Sequence, residues 1–235
     1  MKSERMEENL SFWEHLDELR SVLLRSLAAW LVASVAAFCM KEHVFAVLMR
    51  PLGEGQTLIN IDVTAQFLTH MQVSLCIGFV VALPLIVWWL YGFVAPALYA
   101  NEKRYSVTFL LSAILLFAAG VALNYFVIFP FSFRFLSAYQ VSGVVVNQIS
   151  LGSYISLLLV LSIMMGLLFE VPIVTWLLSK TGILRREHLK RYRGQVLVAI
   201  MIIAAVITPT GDPFTLMLVT LPVYLLYELS ILVIR

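Results

Sequence analysis

The sequence predicts an all-α membrane protein with six transmembrane helices, an N-terminal cytoplasmic amphipathic helix and both termini in the cytoplasm. Two observations support this fold class: six long apolar stretches make up most of the chain, and Lys and Arg crowd into alternate gaps between them. Hydrophobic residues account for 61% of the 235 residues and charged residues for 13%, which is far from the usage of soluble domains. Because the stretches are rich in Leu, Ala and Met and lack strand-like alternation, we expect helices and not an outer-membrane barrel.

The lengths of the apolar stretches set the expected helix boundaries. A hydrocarbon core about 30 Å thick requires roughly 20 helical residues. The six stretches that approach or reach this length cover residues 21–40, 70–93, 105–129, 154–179, 195–208 and 214–234. We therefore expect residues 1–235 to form a single transmembrane domain, in which residues 1–20 are a cytoplasmic arm.

The distribution of basic residues predicts the orientation. Thirteen of the 16 Lys and Arg residues lie in the N-terminal arm, at Arg25 in the first turns of span one, in the second and fourth connections or at the C-terminus. The exceptions are Lys41, Arg50 and Arg134. Since positive residues accumulate on the cytoplasmic side, both termini are expected there.

The N-terminal arm has the pattern of an amphipathic helix. Ser11 and Glu14 have the spacing of a capping box, which predicts a helix start. An apolar stripe at helical period follows, formed by Phe12, Leu16, Leu19 and Leu23. Acidic residues occupy the opposite face: Glu14, Asp17 and Glu18. No Pro or Gly interrupts the passage into the first span, so one continuous helix is expected.

The outer connections differ in length. The connections over residues 41–69 and 130–153 are long enough to predict short helices or caps over the outer face. The last one is short, because Pro209 and Pro213 bracket Gly211 and Asp212 and allow only a tight reversal. We expect Pro209 and Asp212 to shape a hairpin of spans five and six.

Three spans contain an internal proline, at Pro84, Pro172 and Pro222. We expect kinks at these positions, because proline lacks the N–H that the helix would use.

Glu170 is the residue whose charge most needs an explanation. It lies about nine residues before Lys180, roughly 15 Å from the cytoplasmic end of its helix. An ionisable side chain near the membrane midplane is costly unless it faces protein or water, so Glu170 is predicted to be functional. The alternative is a purely structural role, in which a protonated Glu170 forms a hydrogen bond between two helices. Glu228 lies nearer the end of span six, where we expect a solvated side chain.

Two further acids are candidates for a binding site at the cytoplasmic rim. Glu18 lies beyond the first turn of the arm helix, where capping does not explain it, and Glu102 lies in the short second connection. Together they could receive a cationic group through charged hydrogen bonds.

These residues and their neighbours make the chain resemble TatC, the multi-span receptor subunit of the twin-arginine protein translocase. In the first half of the chain, the matching segments are Ser11-Phe12, His15-Leu16-Asp17-Glu18-Leu19-Arg20, Phe93-Val94-Ala95-Pro96-Ala97-Leu98-Tyr99 and Glu102-Lys103-Arg104. In the second half, they are Tyr125-Phe126-Val127-Ile128-Phe129-Pro130, Phe169-Glu170-Val171-Pro172, Ile207-Thr208-Pro209, Leu221-Pro222 and Leu226-Tyr227-Glu228.

The resemblance implies a receptor in the bacterial cytoplasmic membrane that binds signal peptides bearing an Arg pair. It implies that Glu18 and Glu102 form the recognition site, and that Arg20, Pro51, Phe93 and Glu170 are functionally sensitive. It also implies single-span TatA and TatB type partners, self-association within a larger complex, and export of folded proteins driven by the proton-motive force. Independently of the family, two adjacent Arg side chains of an extended peptide point in different directions, so two separated acids suit them.

Other functions are less favoured by the sequence. A proton-coupled small-solute transporter is the main alternative, because Glu170 and three proline-containing spans could surround a midplane site. An intramembrane protease is disfavoured, since the sequence has neither a G-x-S-G nor a His-Glu-x-x-His motif. The four histidines are scattered without ligand spacing, so we expect no metal site. We also expect no cofactor, no enzymatic activity and no nucleic-acid partner.

Overall fold

The computed structural model of the protein describes residues 12–53, 56–94, 106–142, 147–180, 182, 184–208 and 211–234. The α-helices of these ranges are α1 (Phe12–Cys39), α2 (Lys41–Leu48), α3 (Ala65–Val94), α4 (Ser106–Leu123), α5 (Phe129–Ala138), α6 (Leu151–Leu168), α7 (Val171–Lys180), α8 (Arg186–Arg191), α9 (Arg193–Ile207) and α10 (Pro213–Val233). A 3-10 turn (Arg50–Leu52), a π-helical segment (Asn124–Ile128) and the two-residue strands β1 (Leu58–Ile59) and β2 (Ile149–Ser150) complete them.

The predicted all-α membrane class is confirmed. Five stretches of the described chain are long and apolar enough to cross a membrane: His15–Cys39, Ala65–Phe93, Leu110–Ala138, Leu151–Ser179 and Pro213–Leu232. The apolar part of α9, Arg193–Val206, is shorter. That α9 is a sixth span, that the arm helix is amphipathic and that both termini are cytoplasmic remain predictions.

Helix α1 runs without interruption and packs lengthwise against α3. Gly78 of α3 permits the close approach, because a Cβ there would lie 2.6 Å from the Cα of Ser34 in α1. One turn before Ser34 in α1, the Trp30 indole Nε1 donates to the backbone oxygen of Leu75 at 2.8 Å. Small residues and interhelical hydrogen bonds are the usual means by which helices associate in lipid.

Helices α4 and α6 make a second close contact in the interior. A Cβ on Gly120 would lie 2.8 Å from the carbonyl carbon of Met165, and one on Gly166 would lie 2.6 Å from the ring of Phe117. One turn further along α4, the buried Asn124 donates from Nδ2 to the Ser162 hydroxyl at 2.8 Å. Helix α6 is therefore the centre of the core.

The third apolar helix continues past its expected end at residue 129. It passes through the π-helical segment Asn124–Ile128 and runs on as α5 to Ala138. Pro130 follows the π turn directly and sits in the first turn of α5, where a missing N–H is best tolerated. The widened turn therefore gives a physical reason why this proline does not stop the helix.

The fourth apolar helix is interrupted. Helix α6 ends at Leu168 and α7 begins at Val171, so Phe169 and Glu170 form a turn just ahead of Pro172. Helices α3 and α10 continue through Pro84 and Pro222. Of these three prolines, Pro172 is the one beside a break.

Short elements cover the helix ends on the side of the molecule where α1 ends, as expected for the first long connection. Helix α2 is held by two tyrosines, because the Tyr125 hydroxyl donates to the Val47 oxygen at 2.6 Å and the Tyr154 hydroxyl to the Leu48 oxygen at 3.0 Å. Strands β1 and β2 pair in parallel and join the two outer connections, which the sequence did not indicate.

The last two helices form a hairpin. Asp212 caps α10, since its Oδ1 accepts the N–H of Thr215 at 2.7 Å. Gly211 has φ +57° in the reversal, a conformation that suits glycine. Pro209, which was expected to shape this turn, lies outside the described residues.

Candidate functional site

The beginning of α1 and the end of α3 meet at one rim of the molecule. The His15 ring stacks on the Phe93 ring with a centroid distance of 4.3 Å and an interplanar angle of 19°. His15 Nδ1 also lies 3.7 Å from Oε2 of Glu18, one turn further along α1. The structure thus places two expected site residues, Glu18 and Phe93, on either side of a histidine that the sequence analysis did not single out.

Glu18 has an incompletely satisfied carboxylate. Its Oε2 is buried and accepts no hydrogen bond from the described part of the chain, whereas its neighbour Asp17 is exposed. A carboxylate oxygen that is withheld from water without a donor is unfavourable. A guanidinium or ammonium group that approached this rim would supply the missing donor.

The other residues expected at this rim are not all brought to the same point. Arg20 is exposed, and it follows Glu18 by two positions, which places it roughly 200° around the helix. Glu102 belongs to the connection after α3 and lies outside the described residues. Because α3 ends at Val94, directly after Phe93, that connection starts beside the rim.

Glu170 lies in the turn between α6 and α7. Its backbone oxygen accepts the N–H groups of Ile173 and Val174 at 3.0 Å each, and so starts α7. The side chain is partly buried and lies against the backbone of Phe117 in α4. Glu170 therefore sits beside the tight α4–α6 contact, away from the rim that holds Glu18.

Pro51 and Asp212 lie at the helix ends opposite the rim. Pro51 lies in the 3-10 turn that follows α2, which is closed by a bond of 3.1 Å from the Leu52 N–H to the Met49 oxygen. Asp212 is the cap of α10. The expected functional residues that the structure describes thus occupy three separate regions: the rim, the middle of the fourth apolar helix and the helix ends opposite the rim.

A charged cluster joins α9 to α10. The Glu228 carboxylate accepts from Arg193 Nη2 at 2.7 Å and from the Tyr224 hydroxyl at 3.0 Å. The Glu228 side chain stays partly exposed, in keeping with the expected solvated role, and its pairing adds to that expectation. The four-residue spacing of Tyr224 and Glu228 was the available sequence signal, but the pairing with Arg193 depends on the hairpin.

Comparisons with known proteins place the chain among translocase components. A family profile described as "Sec-independent protein translocase protein (TatC)" matches residues 14–222. A protein of that name from Azotobacter chroococcum is 37% identical over 221 residues, covering 92% of this chain and 86% of the relative. The protein of that name from Escherichia coli K12 is 34% identical over 221 residues and covers 92% of this chain and 85% of the relative.

Two solved structures share the fold. The crystal structure of the twin arginine translocase receptor TatC in DDM has a TM-score of 0.85 and 35% identity, covering 94% of this chain and 100% of that chain. A second crystal structure of the receptor has a TM-score of 0.82 and 36% identity, covering 93% and 97%. The likeness therefore extends over nearly the whole chain and not over one motif.

Proposed function

The chain belongs to the TatC family of Sec-independent protein translocase proteins, and from this premise we propose that it is the signal-peptide receptor and core subunit of a twin-arginine translocase. It is a multi-pass protein of the bacterial inner membrane and a component of protein transport. We infer a receptor role without catalysis, and the family assignment favours this role over the solute-transporter alternative.

The observation that carries the proposal is the buried Oε2 of Glu18, which lacks a donor beside the Phe93–His15 stack. An Arg side chain presents a planar fork of donors that fits a carboxylate. Successive side chains of an extended peptide point to opposite sides, so an Arg pair requires two acids at separate positions. Glu18 would bind one Arg and Glu102 the other, with Phe93 supporting the apolar wall of the site.

The proposed orientation gives this rim access to newly made proteins. With six spans and both termini inside, the start of α1 faces the cytoplasm, as the distribution of Lys and Arg indicates. Residues 1–20 would then be a cytoplasmic arm on a single transmembrane domain. The rim is where a signal peptide would arrive before export.

We propose that the lipid-facing surface also serves assembly with TatA and TatB type single-span subunits and with further copies of this chain. Helix α10 supports this by carrying exposed leucines along one side, at Leu221, Leu225, Leu229 and Leu232. Lipid and partner helices are both suitable neighbours for such a surface. Transport by the assembled complex would use the proton-motive force.

Glu170, Arg20 and the outer residues have supporting roles in this proposal. Glu170, in the turn that separates α6 from α7, would take part in partner binding or transport. Arg20 would act at the cytoplasmic end of α1, and Pro51, Pro209 and Asp212 would shape the outer face.

Binding of a purified Arg-Arg signal peptide to the purified chain tests the proposal. Glu18→Gln should weaken binding by about ten- to a hundredfold, since a charged hydrogen bond contributes roughly 1.5 to 3 kcal/mol. A Lys-Lys peptide should also bind less tightly, because ammonium lacks the bidentate fork. Asp17→Asn is the matched control, because it removes an exposed charge from the adjacent position and should leave binding unchanged.

The salt concentration distinguishes specific binding of the peptide from diffuse electrostatic attraction. At about 0.15 M salt, attraction to a general acidic surface is largely screened. If the Glu18→Gln, Glu102→Gln double variant bound the Arg-Arg peptide as tightly as the unmodified chain under these conditions, the proposed recognition site would be wrong.

A further inference from the structure

We propose that a basic pocket between the end of α7 and the start of α8 binds the phosphate of an anionic phospholipid headgroup. The pocket has a volume of about 540 Å³, and its lining includes Arg185, Arg186 and Lys190 together with the single acid Glu187. The described lining thus has an excess of two positive charges. None of these residues belongs to the proposed signal-peptide site.

The connection after α7 brings these cations to the end of a membrane-spanning helix. Gly182 has φ +78°, and its N–H donates to the Ser179 oxygen at 3.1 Å. The Leu184 N–H then donates back to the Leu178 oxygen at 3.0 Å, which closes the end of α7 in the manner of a glycine cap. Because Ser179 ends an apolar span and also lines the pocket, the pocket lies at the level of lipid headgroups.

Helix α8 is held firmly against the rest of the molecule. Leu189 is 7% exposed, and its backbone oxygen accepts the hydroxyl of the buried Tyr227 in α10 at 2.6 Å. Arg186 and Lys190 are four positions apart and therefore lie on the same side of α8. The two cations are presented by an anchored element and not by a free loop.

The side chain of Arg186 lacks a hydrogen-bond acceptor at one of its guanidinium nitrogens. Its Nε is buried and has no hydrogen-bond partner within the described part of the chain. A buried guanidinium N–H without an acceptor is unfavourable, and phosphate oxygens are well suited to the guanidinium fork. Lys190 and Arg185 are exposed and can close on the same phosphate from the open side.

The position at the membrane boundary favours a lipid over a soluble anion. Basic pockets beside cytoplasmic helix ends recognise anionic headgroups, and a lipid would anchor its acyl chains along the adjoining apolar helix. The assignment to the cytoplasmic leaflet rests on the orientation given under the proposed function. The binding itself does not depend on signal-peptide recognition.

Lipid retention measured by native mass spectrometry tests the inference. The protein is taken from nanodiscs of phosphatidylcholine with a minor fraction of phosphatidylglycerol, and the lipids that remain bound are counted. We expect phosphatidylglycerol to be retained well above its share of the bilayer. The Arg185→Gln, Arg186→Gln, Lys190→Gln variant should lose about tenfold or more of this enrichment, since each basic side chain contributes to anionic-lipid attraction.

The matched control removes the same charge elsewhere, from the exposed Lys41, Arg50 and Arg134. This control should retain phosphatidylglycerol as the unmodified chain does, and an equal loss would mean diffuse attraction and overturn the inference. Arg186→Lys keeps the charge and should still reduce the enrichment of phosphatidylglycerol. This variant provides a second test if the triple variant does not fold. Retention unchanged in both pocket variants would also overturn it.

A soluble-anion arm distinguishes the two sources of phosphate. If glycerol phosphate bound to the protein in neutral detergent as tightly as phosphatidylglycerol, the pocket would be a soluble-anion site and the lipid assignment would be wrong. Arg-Arg peptide binding, measured on the same variants, should be unchanged. Loss of lipid with retained peptide binding would support this inference, whereas a defect in peptide recognition alone would concern only the proposed function.

Discussion

At Gly78, the hydrogen that takes the place of a side chain allows the backbones of α1 and α3 to touch. Gly92, further along α3, has open space where a Cβ would be. The same residue type therefore has different consequences at two positions of one helix. At Gly78 the contact is with backbone atoms of Ser34, which cannot move aside as a side-chain end can.

Gly78→Ala should push α1 and α3 apart at this contact and destabilise the protein by about 1 to 3 kcal/mol, as overpacking of a tight contact does. Thermal unfolding in detergent measures the change. Gly92→Ala is the matched control and should be neutral or slightly stabilising, because alanine favours helix. Equal melting temperatures for the two variants would contradict the close approach.

Glu170 is predicted to face the protein interior or a water-lined concavity, since exposure to lipid would be too costly. Glu170→Gln should therefore preserve folding while reducing export or partner assembly. Glu42→Gln, at an exposed position of α2, is a control that should export normally. Export of a folded reporter, compared with the amount of membrane-inserted protein, separates the two effects. Normal export by both Glu170→Gln and Glu170→Leu would assign a purely structural role to this residue.

Among the helices, α9 is notable for its length. It has 15 residues, which span about 22 Å against a hydrocarbon core of about 30 Å. It nevertheless pairs with the 21-residue α10 in a hairpin: Asp212 caps α10 at the reversal, and the Arg193–Glu228 pair joins the two helices at the other end. As the proposed sixth span, α9 would need local thinning of the bilayer or a partner helix to cover this mismatch.

Insertion of four Leu residues into α9 should impair export more than stability. The longer helix would match the hydrocarbon thickness and so abolish any bilayer thinning, while it keeps an apolar helix in place. Export and thermal unfolding are measured on the same preparations. Insertion of four Gly and Ser residues after the exposed Gln140 is the control and should affect neither. If the lengthened α9 supported normal export, thinning would have no part in the mechanism.

For the molecule as a whole, orientation follows from charge and not from any single contact. Reporter fusions after Arg50 and after Asn147 should read outside, and fusions after Lys103 and Arg191 should read inside. The reason is that 13 of the 16 Lys and Arg residues lie at the termini, at the start of span one or in the connections that are assigned to the cytoplasmic side. An outside reading after Arg191 would overturn both the loop assignment and the six-span topology.

The sequence by itself determined the membrane class, the approximate apolar helices, the family resemblance and the acids of interest. These are local properties: hydropathy decides which segments enter lipid, and motifs such as Phe169-Glu170-Val171-Pro172 are contiguous. The short hairpin could be predicted for the same reason, whereas the capping of α10 by Asp212 emerged only from the structure.

Only the tertiary structure decided how residues distant in sequence meet. The His15–Phe93 stack beside Glu18 and the Arg193–Glu228 pair depend on the rotation and offset of whole helices. The continuation of the third helix through a π turn to Ala138 was not predicted either, and Asn124 at the start of this turn bonds Ser162 of another helix. Packing of this kind depends on close approach at particular small residues, and hydrophobic periodicity carries no information about it.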